Sequence, residues 1–350
     1  MNEPENTMAK GVGGAGRLLW VDYARGLAIL MVVYRHAVVG LTRSGIPVTP
    51  LMYNLQEVVF NFRMPVFFVL SGVFLAASLK RRAVSVVVGD KVSTLLYPYF
   101  LWSCVTLLLQ LTFDSFSNSK VEPADFANIL LQPRAIAHFW YLLALFNTSM
   151  LYLIFSKITT NKWLHLLVAL TLHFLSTLPV LQPFSIVTDL FYFYPFLVLG
   201  FYLSDALLGR DPEFHPVNPK QLVWVLPVCL AGQWFWFTHP DLGQGFLYLY
   251  FIIILIGCYC FYLVSDLLAG AGVARWLLYL GKNSLYIYIL HVYLISLSRA
   301  VMRYAGFNGS PWILLLVSWL CGVIIPILLY NGLRKIGFRK LFTLKPQAAA

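Results

Sequence analysis

One apolar segment of the chain, from Leu18 to Gly40, contains four ionisable side chains: Asp22, Arg25, Arg35 and His36. A charged side chain at the centre of a membrane helix costs about 2.5–3.5 kcal/mol on insertion scales, so it usually marks a functional site. On a helix, Arg25 and His36 lie on nearly the same face, roughly 16 Å apart along the axis, and Asp22 joins that face. Arg35 lies about a quarter turn away and need not share their partner.

The composition indicates that this segment belongs to a membrane protein. Hydrophobic residues make up 60% of the chain and charged residues 11%, with a mean hydropathy of +0.76, whereas a typical soluble domain has about 25% charged residues. The net charge of +11 is spread along the chain and accompanies no nucleic-acid motif, so we expect no nucleic-acid partner. All five cysteines lie in apolar stretches, which argues against a disulfide framework and against a metal site.

Apolar windows of near bilayer-spanning length recur along the chain. They predict an all-α, polytopic membrane protein with about ten transmembrane helices. We expect an N-terminal tail at 1–17, one transmembrane domain at 18–333 and a basic C-terminal tail at 334–350. The windows are Leu18–Gly40, Leu55–Leu79, Val92–Thr112, His138–Ser156, Trp163–Leu181, Ser185–Ser204, Leu222–Thr238, Phe246–Val264, Trp276–Ser298 and Trp312–Leu333.

The lysines and arginines are distributed unevenly between the two sides of this helix array. Seventeen of the 25 fall on the side of the N-terminus and five on the other, which leaves Arg25, Arg35 and Arg63 within the bilayer. An even number of helices puts both termini on one side, and the positive-inside rule makes that side the cytoplasm. We therefore predict a multi-pass protein of the cell membrane, surrounded by the lipid bilayer, with both termini cytoplasmic.

This topology places several polar side chains at one depth near the outer surface. His36 lies near the outer end of the first helix, Arg63 in the outer half of the second, His138 at the start of the fourth and His291 towards the outer end of the ninth. An isolated histidine near a helix end is usually a packing or interfacial residue. His36 differs because Arg25 shares its face, so we interpret it as a functional residue.

The second helix contains a proline close to its arginine. Pro65 cannot donate a backbone hydrogen bond and frees the carbonyl group of Asn61, which predicts a kink beside Arg63. A packing kink of this kind is common in membrane helices. Together with Arg63, it is also suited to a polar cavity.

The densest basic cluster lies on the predicted inner face, between the second and third helices. It consists of Lys80, Arg81, Arg82 and Lys91. Most such clusters obey the positive-inside rule or contact anionic lipid. The alternative is a docking site for a phosphorylated cytosolic cofactor, which would then meet Arg25 on its way inward.

Six motifs follow one another along the chain. They are Asp22-Tyr-Ala-Arg-Gly-Leu-Ala-Ile with His36, Arg63-Met-Pro-Val-Phe-Phe-Val-Leu-Ser-Gly72, Leu96-Tyr-Pro-Tyr-Phe-Leu-Trp102, His138-Phe-Trp-Tyr-Leu142, Tyr192-Phe-Tyr-Pro-Phe-Leu-Val-Leu-Gly200 and Gly281-Lys-Asn-Ser-Leu-Tyr-Ile-Tyr-Ile-Leu-His291. Together these motifs resemble the acyltransferase family 3 integral membrane proteins, in particular the fucose 4-O-acetylase-like and exopolysaccharide O-acetyltransferase branch, and the resemblance covers nearly the whole chain. In this branch, histidine often stands where this chain has Arg63, and related members carry an arginine pair where only Lys91 precedes Pro98 here.

The resemblance implies transfer of an acyl group, most often acetyl, from cytosolic acyl-CoA to a sugar hydroxyl of a cell-surface or exported glycan. Acyl-CoA and the glycan are then the expected partners, and the glycan-synthesis machinery is a further candidate. His36 is the expected general base, because a neutral histidine with a pKa near 6.5 can accept a proton at neutral pH. Arg35 or Arg63 would stabilise the oxyanion.

The remaining polar residues receive binding roles in this hypothesis. Arg25, which Asp22 would orient or neutralise, would guide the donor. The other expected contacts are Arg81, Arg82 and Lys91 for acyl-CoA, and His138 and His291 for the acceptor.

Three alternatives stay open. A covalent acyl-His36 intermediate would also be consistent with these residues. A transporter or flippase for a glycan or lipid-linked intermediate would use the same charges to line a path. An inactive member of the family with a structural role is the third.

Overall fold

A computed structural model of the protein describes residues 19–112, 121–136, 138–209, 219–239, 246–307 and 309–344. These residues form helices joined by turns and short loops, and none of them lies in a β-strand. The predicted N-terminal tail and the end of the predicted C-terminal tail lie outside the described residues. Five of the basic residues used to assign the topology also lie outside them: Lys10, Arg17, Lys120, Arg210 and Lys345.

The helices follow one another closely along the chain. The first half contains α1 Leu19–Arg43, α2 Pro50–Glu57, α3 Phe60–Leu79, α4 Val84–Lys91, α5 Tyr97–Thr112, α6 Asn128–Leu131, α7 Pro133–Ile136, α8 Trp140–Phe155 and α9 Lys162–Leu175. The second half contains α10 Ser185–Tyr202, α11 Ser204–Leu207, α12 Leu222–Thr238, α13 Leu247–Ala271, α14 Trp276–Lys282, α15 Ser284–Tyr304 and α16 Pro311–Lys335. A π-helical stretch, Val92–Leu96, joins α4 to α5, and 3-10 turns occupy Pro123–Ala127, Pro179–Leu181, Pro219–Gln221 and Phe338–Leu341.

Within the described part of the chain, seven helical segments are long and apolar enough to cross a membrane. They are Leu19–Arg43, Pro50–Leu79, Val84–Thr112, Ser185–Tyr202, Leu247–Ala271, Ser284–Tyr304 and Pro311–Lys335. Three shorter apolar helices, α8, α9 and α12, account for the other three windows seen in the sequence. The prediction of an all-α polytopic membrane protein is confirmed.

Some of the predicted windows are interrupted helices, among them the second and the ninth. In the second, the break lies at Val58 and Val59, between α2 and α3. Pro65 lies inside α3, so the helical interruption precedes the position where the sequence predicted a kink. The ninth window is divided at Asn283, between α14 and α15.

Helix α1 packs against α3, α13, α14, α15 and α16. Two glycines allow its close approach to α14. A Cβ atom on Gly26 would collide with the carbonyl oxygen of Leu277, and one on Gly281 would collide with that of Asp22. Small residues at such crossings let two membrane helices approach at backbone distance. This close pair fixes the position of the end of α1 that carries Arg25.

Candidate functional site

Three histidine rings from separate segments meet in one cluster, called the histidine cluster below. His36 comes from α1, His138 lies just before α8, and His291 comes from α15. The ring centroids of His36 lie 5.7 Å from His138 and 5.0 Å from His291, and the last two lie 4.7 Å apart. Residues far apart in the sequence, which topology placed at one depth, are therefore neighbours.

Backbone carbonyl groups determine which ring nitrogens of two of these histidines carry hydrogen. Nε2 of His138 lies 2.9 Å from the carbonyl oxygen of Tyr288. Nδ1 of His291 lies 2.7 Å from that oxygen and 3.0 Å from the carbonyl oxygen of Ile287. A carbonyl oxygen only accepts, so these nitrogens donate, and the opposite nitrogens of the neutral rings keep their lone pairs. Nε2 of His291 is therefore a buried proton acceptor, and it has no hydrogen-bond partner in the structure.

His36 is the most accessible ring of the histidine cluster. Its side chain is partly exposed, whereas His138 is 7% exposed and His291 is 0% exposed. The positive charges of Arg63 and Arg35 both lie close enough to act on the His36 ring. Of the three histidines, His36 is therefore the one that a bound molecule would reach most readily, with cationic groups nearby.

The two arginines have different surroundings. Arg63 is 5% exposed, and its Nε and Nη1 groups have no hydrogen-bond partner. Nη1 of Arg35 instead lies 2.6 Å from Oε1 of Gln56 and 3.4 Å from Oε1 of Glu57. Both guanidinium groups lie over the ring of Phe60, at 4.3 Å for Arg35 and 5.6 Å for Arg63. Arg63 thus has N–H groups to offer a bound molecule, while Arg35 is engaged with α2.

A cavity of about 360 Å³ lies beside the Arg25 end of α1 and is called the basic cavity below. The guanidinium of Arg25 lies 4.8 Å from the ring centroid of Phe74 on its wall. Pockets of about 300–1,000 Å³ are the usual size for ligands of drug size. The polar and aromatic lining of the basic cavity includes Arg25, Ser71, Arg82, Lys91, Lys282 and Tyr288.

The structure brings together only some of the residues predicted to contact acyl-CoA. Arg25, Arg82 and Lys91 line the basic cavity, although Arg82 also pairs with Asp90 at 2.5 Å. Arg81 is exposed and lies outside the lining. Asp22, 2% exposed, also lies outside it, with its carbonyl group against α14.

Tyr288 connects the basic cavity with the histidine cluster. The residue lines the cavity, and its carbonyl oxygen accepts hydrogen bonds from both His138 and His291. Its hydroxyl group donates to the carbonyl oxygen of His138. Sequence reasoning included this tyrosine only as part of a motif, yet its position three residues before His291 places its carbonyl within reach of that ring on a helix. Lys282, which belongs to the same motif, was likewise not predicted to line a cavity.

The histidine cluster is suited to proton transfer. Two of its rings are each held by a backbone carbonyl group, and these two rings are the buried ones. Among the described residues, no group of three or more histidine, cysteine, aspartate or glutamate side chains is arranged to hold a metal ion.

Comparisons with known proteins identify the family of the chain. Residues 18–331 match a family model described as an acyltransferase domain. Nodulation protein NolL of Sinorhizobium fredii is 26% identical over 200 residues, which are 56% of this chain and 51% of that protein, so the chain spans about half the length of this curated relative. No solved structure matches the chain. Because the family model extends from the start of α1 into α16, the chain belongs to acyltransferase family 3.

Proposed function

We propose that the protein is a membrane O-acyltransferase. It moves an acyl group, acetyl in the simplest case, from cytosolic acyl-CoA to a sugar hydroxyl of a cell-surface or exported glycan. The position of Tyr288 is the observation that carries this proposal. One residue forms part of the wall of a basic cavity and holds two of three clustered histidines. A cationic binding site and an acid–base site therefore share a wall.

The basic cavity is the proposed donor site. Arg25, Lys91 and Lys282 line it, and guanidinium and ammonium groups are the usual partners of phosphate oxygens. The uneven distribution of basic residues favours the cytoplasmic side for this end of α1, and acyl-CoA is found on that side. Ile29, one turn beyond Arg25 towards His36, also lines the cavity. An acyl group carried past Arg25 would therefore point towards the histidine cluster.

The reaction proposed at the histidine cluster uses His36 and Arg63. His36 takes the proton of the acceptor hydroxyl as the oxygen attacks the thioester carbon, and N–H groups of Arg63 stabilise the oxyanion that forms. The C–S bond then breaks, and the departing CoA thiolate takes the proton from His36. General base catalysis contributes about 10²–10⁴-fold in rate, and each preorganised oxyanion donor contributes about 3–4 kcal/mol.

We propose supporting roles for the two buried histidines. The lone pair on Nε2 of His291 can accept either an acceptor hydroxyl or an N–H of His36, whose ring centroid lies 5.0 Å away. His138 is held by Tyr288 and packs against both other rings. Both residues remain candidates for binding the acceptor.

Replacing His36 tests the proposed base. The assay uses purified protein, labelled acetyl-CoA and unacylated glycan from cells that lack this protein. We expect His36→Ala to lower acyl transfer by about 10² or more, with correct membrane insertion. His239→Ala is the matched control, because this exposed histidine lies at the end of α12, outside the cluster. Unchanged transfer in His36→Ala would overturn the assignment.

The same preparation separates the alternative mechanisms. Label trapped on the wild-type protein without acceptor, and lost in His36→Ala, would indicate a covalent acyl-His36 intermediate. Glycan that crosses liposomes of the purified protein without becoming acylated would instead support transport.

A further inference from the structure

An arginine near the far end of α15 is buried without a complete set of partners. Arg299 is 6% exposed, and its Nη1 group has no hydrogen-bond partner. None of the ion pairs among the described residues includes it. Arg303 on the same helix adds a second positive charge that acts on it. A buried, unpaired charge is strongly unfavourable, so the position is suited to an anionic partner from outside the chain.

A glycine on the neighbouring helix makes room for this side chain. A Cβ atom on Gly40 of α1 would collide with Nη1 of Arg299. The guanidinium group therefore lies directly against the α1 backbone, where any other residue would displace it. An arginine that only extends its charge to water at the membrane surface would not be buried in such a site.

The position of Arg299 relates it to the histidine cluster. Gly40 lies one turn beyond His36 on α1, and Arg299 lies two turns beyond His291 on α15, with Ile295 between them. One helical turn is about 5.4 Å. The guanidinium group thus lies about one turn beyond the proposed base, on the side away from the basic cavity.

We propose that Arg299 binds an oxyanion of the acceptor, a carboxylate or a phosphate, that lies about one helical turn from the hydroxyl to be acylated. The proposal rests on the proposed acyl transfer and names the class of acceptor. A carboxylate could belong to an acidic sugar, and a phosphate to a sugar linked to a lipid carrier. Arg299 is then a specificity-determining residue, and it takes no part in proton transfer.

Chemical treatment of the acceptor tests the proposal without altering the protein. Unacylated glycan from cells lacking the protein is divided into three samples: untreated, reduced at its carboxylates, and stripped of phosphate. We expect one treatment to raise the KM of the wild-type protein for the acceptor about tenfold or more, since a hydrogen bond to a charged group contributes about 1.5–3 kcal/mol. The sensitive sample identifies the anion as carboxylate or phosphate. Equal KM values for all three would overturn the proposal.

Variants of the site provide the second measurement. We expect Arg299→Gln and Gly40→Ala to raise the KM for untreated acceptor and to become insensitive to the treatment that affects the wild type. Arg299→Lys should recover part of the difference in KM between treated and untreated acceptor. Arg303→Gln, at an exposed position, should behave as the wild type. If Arg299→Gln lowers acyl transfer by the same factor on treated and untreated acceptor, Arg299 has a structural role and the proposal is contradicted. Absence of transfer by the wild-type protein would instead contradict the proposed function.

Discussion

Arg63 and Arg35 lie on neighbouring helices, but only Arg63 has unpaired guanidinium N–H groups in a buried position. If Arg63 stabilises the oxyanion, Arg63→Gln should lower kcat by about 10²–10³-fold, the usual effect of losing one such donor. The KM for acyl-CoA should change little, because the interaction forms in the transition state. Steady-state kinetics of the purified protein measure both. A raised KM with unchanged kcat would contradict the role.

Arg35 differs from Arg63 in having a charged partner. Its charge is paired with Glu57, so Arg35→Gln should reduce activity mainly by leaving that carboxylate unpaired. The double variant Arg35→Gln with Glu57→Gln should therefore recover most of the loss. No recovery in the double variant would show that Arg35 itself contacts the reacting groups.

Arg25 should act on the donor. We expect Arg25→Ala to raise the KM for acyl-CoA about tenfold or more and to change the KM for the acceptor less, because one charged hydrogen bond contributes about 1.5–3 kcal/mol. Arg275→Ala is the control, since Arg275 is exposed and lies outside the lining of the basic cavity. Equal increases in the KM for acyl-CoA and the KM for the acceptor would indicate that Arg25 is structural.

At this scale the sequence was informative about residue type and depth. Counting charges within apolar windows identified His36 and Arg63, and topology placed His138 and His291 beside them. The sequence could not show that Arg35 pairs with Glu57, because the turn that brings α2 back onto α1 is not evident from hydropathy. Nor could it show the exposed fraction of each ring, which depends on packing between helices.

Helix α3 packs against α10 through glycines. A Cβ atom on Gly72 would collide with the carbonyl oxygen of Leu197, and one on Gly200 would collide with that of Val69. We expect Gly72→Ala to destabilise the protein by about 1–3 kcal/mol through overpacking. Gly332→Ala in α16 is the matched control, because no atom would lie within 4 Å of its Cβ and alanine favours the helix. Thermal unfolding of the solubilised protein measures both, and equal midpoints would contradict this account.

The helices were predictable as apolar windows, but their interruptions were not. Hydropathy reports that a segment is long enough to cross the bilayer, and it does not show where the backbone turns within it. The breaks at Val58 and Asn283 therefore fell inside windows predicted as single helices. Pro65 was the interruption predicted from residue type, and near the start of α3 it is accommodated within the helix.

The molecule as a whole places two different environments along one face of α1. Arg25 lines the basic cavity, and His36 belongs to the histidine cluster, with Tyr288 contacting both sites. The spacing of Arg25 and His36 could be predicted from the sequence, because it follows from one helix. The cavity could not, since its walls come from several helices whose packing the sequence does not specify.

Sided vesicles test the central claim that the donor and the acceptor react from opposite faces of the membrane. The purified protein is reconstituted in liposomes with labelled acetyl-CoA trapped inside and unacylated glycan outside. We expect label on the external glycan with the wild-type protein, and none with His36→Ala or without trapped acetyl-CoA. Transfer that occurs only when the donor and the acceptor are on the same side would contradict this account.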